Sequence, residues 1–340
     1  MTFSNISNNI LLEVDKFRVE FFFNSIEKHE RIAFVFSNHG NTSLDGMPDG
    51  GSTLYGAGYD VICFKTTAND WYQTLPFEIF DKISQLIYER SYQRVVGYGF
   101  SMGGFAAAVF SKLLSCDTVL LLSPQYSVRD SFDTRWHYAV PHVNWRYELT
   151  DESISKTTKF LIFYDNKDID KFQIEKFIKL IPSDNLTLKS VPYCDHTSIA
   201  YLKEIGILRD VLLKSLDTGR FPELSYQSGR RNSRTYLHTL SLHLYIKNKL
   251  KWALGVNDIV LRIEPGNIAN YQTRCMILEK ALAQSQTSHH AEKRNLAEPE
   301  NKDLKPHTDK HMPSLFLKLR AGAFVTDAYR RAKAIMTFRG

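Results

Sequence analysis

The chain has 340 residues, 43% apolar and 24% charged, with a mild net charge of +6, which is typical of an ordinary soluble protein. This charge favours a solvated basic face, and we expect no nucleic-acid partner. Four widely spaced cysteines without a C-x-x-C pair suggest neither a zinc site nor a dense disulfide framework. Because the sequence has no signal pattern and no apolar run of about 18 residues, we expect a cytoplasmic protein without a membrane span.

Apolar runs alternate with amphipathic stretches over the first 218 residues. The run 10–23 alternates in part and predicts one or two antiparallel edge strands, whereas the glycine-rich stretch 46–58 predicts irregular structure. Strands are predicted at 32–36, 59–64, 95–98, 118–122, 160–164 and 186–191, and the apolar runs at 32–36 and 59–64 are typical of strands buried on both faces. Helices are predicted at 76–90, 102–114, 172–181 and 199–216. This alternation predicts an α/β fold with a mostly parallel, doubly wound sheet.

Four further segments complete the predicted organisation. Residues 126–158 interrupt the strands, are rich in aromatic residues without a clean period, and are interpreted as an inserted lid in the domain 1–218. Residues 219–283 predict a helical extension, with helices at 235–254 and 268–283, and residues 284–313 predict a disordered linker because they lack large apolar side chains. Residues 314–340 predict a basic helical tail that contacts a membrane surface or a partner protein.

A glycine-rich segment between a predicted strand and a predicted helix carries the most informative pattern. Gly99-Phe100-Ser101-Met102-Gly103 is a G-x-S-x-G sequence. In this context the pattern is typical of a nucleophile elbow, in which the serine lies on a strained turn and small neighbours let strand and helix approach. We therefore predict that Ser101 is a catalytic nucleophile.

A serine nucleophile requires a base that takes its proton and an acid that orients the base. His196 follows the last predicted strand and precedes a helix, so we predict that it is the base, although a helix-capping or core histidine is the alternative. The acid is expected in the loop after the strand 160–164, because the carboxyl ends of parallel strands meet at one edge of the sheet.

That loop offers three carboxylates. Asp165 ends the strand, and Asp170, with Gln173 three residues later, has the capping-box pattern, which gives it a structural role. Asp168 lies between them and is our first choice for the acid, while Asp165 and Asp170 stay open as alternatives. Asp195 is disfavoured because adjacent residues rarely present their side chains to one another.

The negative oxygen of an acyl-transfer intermediate requires hydrogen-bond donors. We predict that one is the N–H of Met102, at the start of the elbow helix, where unpaired N–H groups and the helix dipole favour negative charge. The second is predicted from the backbone near Asn38 or His39, in the loop that follows the strand 32–36. An ordinary turn is the alternative for that loop.

Together these residues resemble the α/β-hydrolase superfamily. The order nucleophile, acid, histidine matches Ser101, Asp168 and His196, and the loop at Asn38 and His39 looks like the His-Gly oxyanion segment of that family. The lid also stands where the family places one. The resemblance covers about residues 10–218 and implies an α/β-hydrolase fold and a serine hydrolase that cleaves an ester or thioester, without a cofactor or metal ion.

Two short segments are similar to those of bacterial hydrolases encoded beside surface-polysaccharide genes. These are Asn69-Asp70-Trp71-Tyr72 and Ser123-Pro124-Gln125. The similarity implies an acylated carbohydrate as the substrate. Trp71 and Tyr72 are then expected to bind it by stacking on a sugar ring or lining an acyl pocket, and burial in the core is the alternative.

Two other functions compete with this interpretation. The glycines from Gly97 to Gly103 approximate a dinucleotide fingerprint, but their spacing is G-x-G-x-x-x-G and no acidic residue ends the next strand, so we reject a dinucleotide site. A catalytically silent hydrolase fold that binds a partner or membrane surface through its basic C-terminal region is the second alternative, because a fold alone does not give a function.

Overall fold

The computed structural model describes residues 6–24, 26 and 29–297, and for residue 6 and residues 289–297 it describes the backbone only. The chain divides into two compact units, Met1–Thr235 and Tyr236–Gly340. The first unit contains the sheet and the candidate site, and the second is helical in its described part.

The first unit is built on an eight-stranded sheet with the order β1-β2-β4-β3-β5-β6-β7-β8. The pairs β1–β2 and β2–β4 are antiparallel, and all strands from β3 to β8 run parallel to one another. The predicted mostly parallel sheet and the antiparallel edge are therefore confirmed. The strands are β1 Ile6–Val14, β2 Phe17–Asn24, β3 Arg31–Phe36, β4 Asp60–Thr66, β5 Arg94–Phe100, β6 Thr118–Leu122, β7 Lys159–Tyr164 and β8 Leu186–Ser190.

Helices follow most strands, and their apolar sides cover the sheet. The core strands β4 and β6 are buried along their whole length, which explains the apolar runs 61–64 and 119–122 within them. The helices of this unit are α1 Gly51–Tyr55, α2 Glu78–Arg90, α3 Met102–Val109, α4 Asp170–Leu180, α5 Ser198–Glu204 and α6 Leu208–Thr218.

Two helix predictions of this unit need correction, and glycine explains both. The stretch 46–58 contains the short helix α1, because its glycines at 50 and 56 stand at the two ends of the helix and not in its interior. The predicted helix 199–216 is divided into α5 and α6 because Gly206 between them adopts a φ of +78°.

The segment between β6 and β7 contains no long helix or strand, as expected for an insertion. Two 3₁₀ turns, Thr134–Trp136 and Val140–His142, are its regular elements. It is fixed to the loop before α2, since the amide oxygen of Gln73 accepts hydrogen bonds from the N–H groups of Arg146 and Tyr147, both over 2.6 Å. The insertion is therefore tied to the body of the unit by its own backbone.

The described part of the second unit consists of helices that pack on a small apolar cluster formed by Leu250, Ala253 and Ile277. The predicted helix 235–254 is interrupted at Asn248, which adopts a φ of +60°. The helices are α7 Arg234–Ile246, which begins in the last two residues of the first unit, α8 Leu250–Ile263 and α9 Ile268–Ala297.

The linker prediction for 284–313 is wrong for its first part, because α9 continues to Ala297. Alanine, glutamine, lysine and glutamate favour a helix without apolar burial, so the lack of large apolar residues does not imply disorder there. Residues 298–313 and the basic segment 314–340 lie outside the described residues. Among the helices the structure describes, none combines the length and the apolar character needed to cross a membrane.

Candidate active site

The turn between β5 and α3 has the strained geometry of a nucleophile elbow. Ser101 adopts a φ of +54° and a ψ of −119°, a conformation that side-chain-bearing residues rarely occupy. The neighbouring glycines are required by close backbone contacts: a Cβ atom on Gly99 would lie 2.0 Å from the carbonyl oxygen of Gly103, and one on Gly103 would lie 2.6 Å from that of Phe36. Strand β5, helix α3 and the end of β3 therefore meet around this serine.

The side chain of Ser101 contacts the predicted histidine. Its Oγ lies 2.8 Å from Nε2 of His196, and the serine is only 3% exposed. His196 lies in the loop between β8 and α5, and the N–H of the preceding Asp195 donates to Oδ2 of Asp165 over 2.9 Å. The loops after β7 and β8 are thus joined directly beside the histidine.

The carboxylate against the histidine belongs to Asp170, and this corrects the choice of Asp168. Nδ1 of His196 lies 2.8 Å from Oδ2 and 3.0 Å from Oδ1 of Asp170, the first residue of α4. Oδ1 of Asp168 instead accepts the N–H of Asp170 over 3.0 Å, so Asp168 satisfies a free donor at the start of the helix. The structural and histidine-binding roles predicted for these two aspartates are therefore exchanged.

The other two carboxylates considered do not contact the imidazole. Asp165 is fully buried, and its oxygens accept the N–H groups of Lys167 and Asp195 over 2.7 Å and 2.9 Å. The carboxylate of Asp195 accepts the hydroxyl of Thr197 over 3.0 Å. Asp165 therefore holds the backbone of both loops in place, and the contact of Asp195 with Thr197 fits the prediction that Asp195 is a poor candidate for the acid.

Opposing charges set the protonation of the histidine and its acid. Burial alone lowers the pKa of His196, but the charge and hydrogen bond of Asp170 outweigh it and raise the pKa above its ordinary value. Burial acts to raise the pKa of Asp170, yet the charges and hydrogen bonds of His196 and Arg135 hold that pKa below its ordinary value. Burial and the charge of Asp170 raise the pKa of Asp168 to about 6.

The candidate oxyanion donors lie at the start of α3 and in the loop after β3. Met102 is the first residue of α3, so its N–H has no partner within the helix. The close approach of Gly103 to the end of β3 brings the loop with Asn38 and His39 next to this helix end. The hydroxyl of Tyr72 lies 2.9 Å from the carbonyl oxygen of Ser37 and braces the same loop.

Trp71 and Tyr72 belong to the core, which corrects their assignment to substrate binding. Both are at most 1% exposed, and Nε1 of Trp71 donates to Oε1 of Gln125 over 2.6 Å. A ring that is buried on all sides cannot stack on a substrate, so their contribution is to hold the site. The ring of Trp136 lies nearer to the catalytic groups, with its centroid 6.2 Å from that of His196 and 4.6 Å from that of His39.

The side chain of Arg135, a residue to which no sequence pattern assigns a role, reaches the candidate site. Its Nη2 donates to Oδ1 of Asp170 over 2.7 Å. Arg135 lies 35 residues before that aspartate in an aperiodic segment, so no spacing pattern connects the two. The adjacent Trp136 was an indirect signal, because aromatic residues in an insertion over a serine elbow are expected near the site.

A mostly parallel sheet, an elbow serine after β5 and a histidine loop after β8 occur together in this chain. It has an α/β-hydrolase fold. No protein-family model and no curated protein sequence matches it. The fold assignment is carried by the sheet, the elbow and the position of His196.

Several solved structures are similar to this chain over much of its length. The capsule O-acetyltransferase of Neisseria meningitidis serogroup A is 14% identical, with a TM-score of 0.43, over 61% of this chain and 94% of the other. An α/β serine hydrolase without a lid from Xanthomonas campestris is 11% identical, with a TM-score of 0.40, over 65% and 98%. Acetyl xylan esterase 1 from Thermoanaerobacterium sp. JW/SL YS485 is 14% identical, with a TM-score of 0.38, over 55% and 81%.

Proposed function

We propose that this protein is a serine hydrolase that cleaves an ester or thioester through an acyl-enzyme. The observation that carries the proposal is an unbroken chain of contacts, 2.8 Å from Oγ of Ser101 to Nε2 of His196 and 2.8 Å from Nδ1 to Oδ2 of Asp170. A nucleophile, a base and an orienting acid arranged in this way are the parts that acyl transfer requires.

In the first half-reaction, Oγ of Ser101 attacks the acyl carbon while Nε2 of His196 takes the hydroxyl proton. The carboxylate of Asp170 stabilises the imidazolium that forms. The N–H of Met102 and a backbone N–H near Asn38 donate to the oxygen that becomes negative. His196 then returns the proton to the leaving oxygen or sulfur, and the acyl group stays on Ser101.

In the second half-reaction, a water molecule or an acceptor hydroxyl attacks the acyl carbon. His196 takes the proton of this nucleophile and then gives it to Oγ of Ser101 as the ester bond breaks. The products are the free acid, or an acylated acceptor, and the regenerated serine. The same groups therefore serve hydrolysis and acyl transfer.

We propose an acylated carbohydrate as the substrate class. Two half-buried tryptophans of the insertion, Trp136 and Trp145, support this, and the ring centroid of Trp136 lies 6.2 Å from that of His196. A partly exposed indole ring suits a sugar, because its face packs on the C–H groups of a sugar ring. We also propose a cytoplasmic location, since all four cysteines are free thiols.

A fluorophosphonate probe tests the catalytic assignment directly. We expect the purified full chain to be labelled at Ser101 and the Ser101→Ala variant to show no labelling. Ser111→Ala is the matched control, because among the residues that the structure describes this buried hydroxyl bonds locally, to the carbonyl oxygen of Ala108. Absence of labelling in a folded wild-type protein would favour the alternative, a silent hydrolase fold that binds a partner.

The substrate class is tested with p-nitrophenyl acetate and a panel of acetylated sugars. Trp136→Leu removes the aromatic ring and keeps an apolar side chain. We expect it to lower kcat/KM about tenfold on the preferred acetylated sugar and less than twofold on p-nitrophenyl acetate, because only the sugar loses a stacking face. Equal losses on both substrates would contradict a sugar-binding role for this tryptophan.

A further inference from the structure

The buried carboxylate of Asp170 is held from two sides. His196 contacts it through Nδ1, and Nη2 of Arg135 donates to Oδ1 over 2.7 Å. Within the residues that the structure describes, these are the two side chains that hydrogen-bond this carboxylate. Because a buried carboxylate must have its oxygens paired, Arg135 supplies a partner that the imidazole alone does not.

Arg135 is itself fixed by a two-point contact. Its Nε donates to Oδ1 of Asp133 over 2.8 Å, and its Nη2 donates to Oδ2 over 2.7 Å. This fork geometry sets the plane of the guanidinium, which a single contact would leave free to rotate. Asp133 is fully buried, so water does not compete with Arg135 for its carboxylate oxygens.

The support for Asp133 comes from the helix that also carries Asp170. Nε2 of Gln173 donates to Oδ2 of Asp133 over 3.1 Å. Oε1 of Gln173 accepts the N–H groups of Tyr126 and Ser127 over 2.9 Å and 3.0 Å. The first turn of α4 therefore holds the acid, the start of the insertion and the anchor of Arg135 together. The Asp170–Gln173 spacing that suggested a capping box serves this purpose.

We propose that Arg135 is a positioning residue for the catalytic groups, which holds the Asp170 carboxylate against His196 and links the insertion 126–158 to the reaction. This inference rests on the proposed function. It gives the insertion a mechanistic part beyond covering the site.

The charge of the Arg135 guanidinium acts on the pKa of His196, a quantity that a merely structural contact would not change. The charged groups that face His196 are Asp170 and Asp168 from α4 and the loop before it, Arg135 from the insertion, and His39 from the loop after β3. The two carboxylates raise the pKa of His196, whereas the guanidinium lowers it. Removal of the guanidinium is therefore expected to raise this pKa further and to shift the acidic limb of the pH profile upward.

The test measures the rate constant of fluorophosphonate inactivation from pH 5 to pH 9, together with an NMR titration of the His196 imidazole. For Arg135→Gln we expect the plateau rate to fall about tenfold and the half-maximal pH to rise by about one unit. For Arg135→Lys, which keeps the charge and loses the fork, we expect a similar loss of rate with a half-maximal pH close to that of wild type. These two variants separate the charge of Arg135 from its geometry.

Arg129→Gln is the matched control within the insertion. Arg129 lies over the ring of Trp145 and pairs with Glu148, so its removal is expected to change neither the rate nor the half-maximal pH. If Arg135→Gln does not fold, the double variant Asp133→Asn/Arg135→Gln, which removes the arginine with one of its carboxylates, is expected to show the same upward shift.

An unchanged plateau rate and half-maximal pH in a folded Arg135→Gln or double variant would overturn the inference. Failure of the proposed function is a different result, because wild type itself would then not be labelled. In that case the titration of His196 in the same variants still decides whether Arg135 acts on the imidazole, since it requires no turnover.

Discussion

The two halves of the candidate site are built by different means. At the elbow, backbone atoms touch backbone atoms, as where Gly99 approaches Gly103 and Gly103 approaches the end of β3. At the acid, charged side chains from distant segments meet, with Arg135 of the insertion between Asp133 and Asp170. The elbow needs particular residues at fixed spacing, whereas the acid needs only a carboxylate that the fold carries to the histidine.

This difference explains why the sequence predicts one half better than the other. Small residues around Ser101 are enforced by contact distances that no other side chain permits, so they leave a visible pattern. The loop 165–170 contains three aspartates, and which of them meets His196 depends on where the first turn of α4 begins. Side-chain charge networks are assembled in three dimensions and leave no regular spacing.

The largest expected effect separates the two aspartates at the start of α4. Asp170→Asn is expected to lower kcat about 10³-fold to 10⁴-fold, because an amide cannot stabilise the imidazolium and favours the wrong tautomer of His196. Asp168→Asn is expected to change kcat less than about threefold, since Asp168 satisfies a backbone N–H that an asparagine side chain also accepts. Steady-state kinetics on an activated ester measure the difference in kcat between the two variants.

A larger loss of kcat in Asp168→Asn than in Asp170→Asn would identify Asp168 as the acid and contradict the role assigned to the contact between Asp170 and His196. Both substitutions keep the size of the side chain, so far-ultraviolet circular dichroism and thermal unfolding distinguish a loss of chemistry from a loss of structure.

The next effect tests the elbow through two glycines on the same face of β5. Gly99→Ala is expected to lower the free energy of unfolding by about 3 kcal/mol, because the new methyl group meets the backbone of Gly103, which cannot move away. A methyl group on Gly97 meets the Val119 side chain at 3.3 Å, so Gly97→Ala is expected to cost about 1 kcal/mol or less. Urea unfolding measures both, and equal costs would argue against a backbone-enforced elbow.

The smallest effect concerns the pH dependence of stability at Asp168. Its pKa is raised to about 6 by burial and by the charge of Asp170, so the ionised form destabilises the folded state. This penalty is complete above pH about 6 and shrinks as the pH falls from about 6 to about 4, because Asp168 is then protonated in the folded state. It vanishes below the ordinary carboxyl pKa of about 4, where the folded and unfolded states are both protonated. Asp168→Asn is therefore expected to raise the free energy of unfolding by about 1 kcal/mol at pH 8 and by nearly nothing at pH 4.

Asp151→Asn, at an exposed aspartate of the insertion, is the control for the loss of one negative charge. If the difference in the free energy of unfolding between wild type and Asp168→Asn does not change with pH, Asp168 and Asp170 do not interact as their positions at the start of α4 require.

Much of the fold was readable from the sequence because its signals are local. Apolar runs such as 32–36 and 118–122 give strands β3 and β6, since a strand buried on both faces must be apolar throughout. The G-x-S-x-G segment predicts the elbow because close backbone contacts require its glycines. The position of His196 after the last strand predicts that it lies beside Ser101.

Only the tertiary structure decided how the remaining groups are used. In the folded chain Asp170, and not Asp168, contacts His196. Trp71 and Tyr72 lie in the core, and Arg135 contacts the carboxylate of Asp170. These outcomes depend on which side chains from distant segments share one buried space, and a buried charge takes whichever partner the packing brings within hydrogen-bond distance. The sequence by itself determined where the backbone turns at Ser101, and the folded chain determined which charges stand around His196.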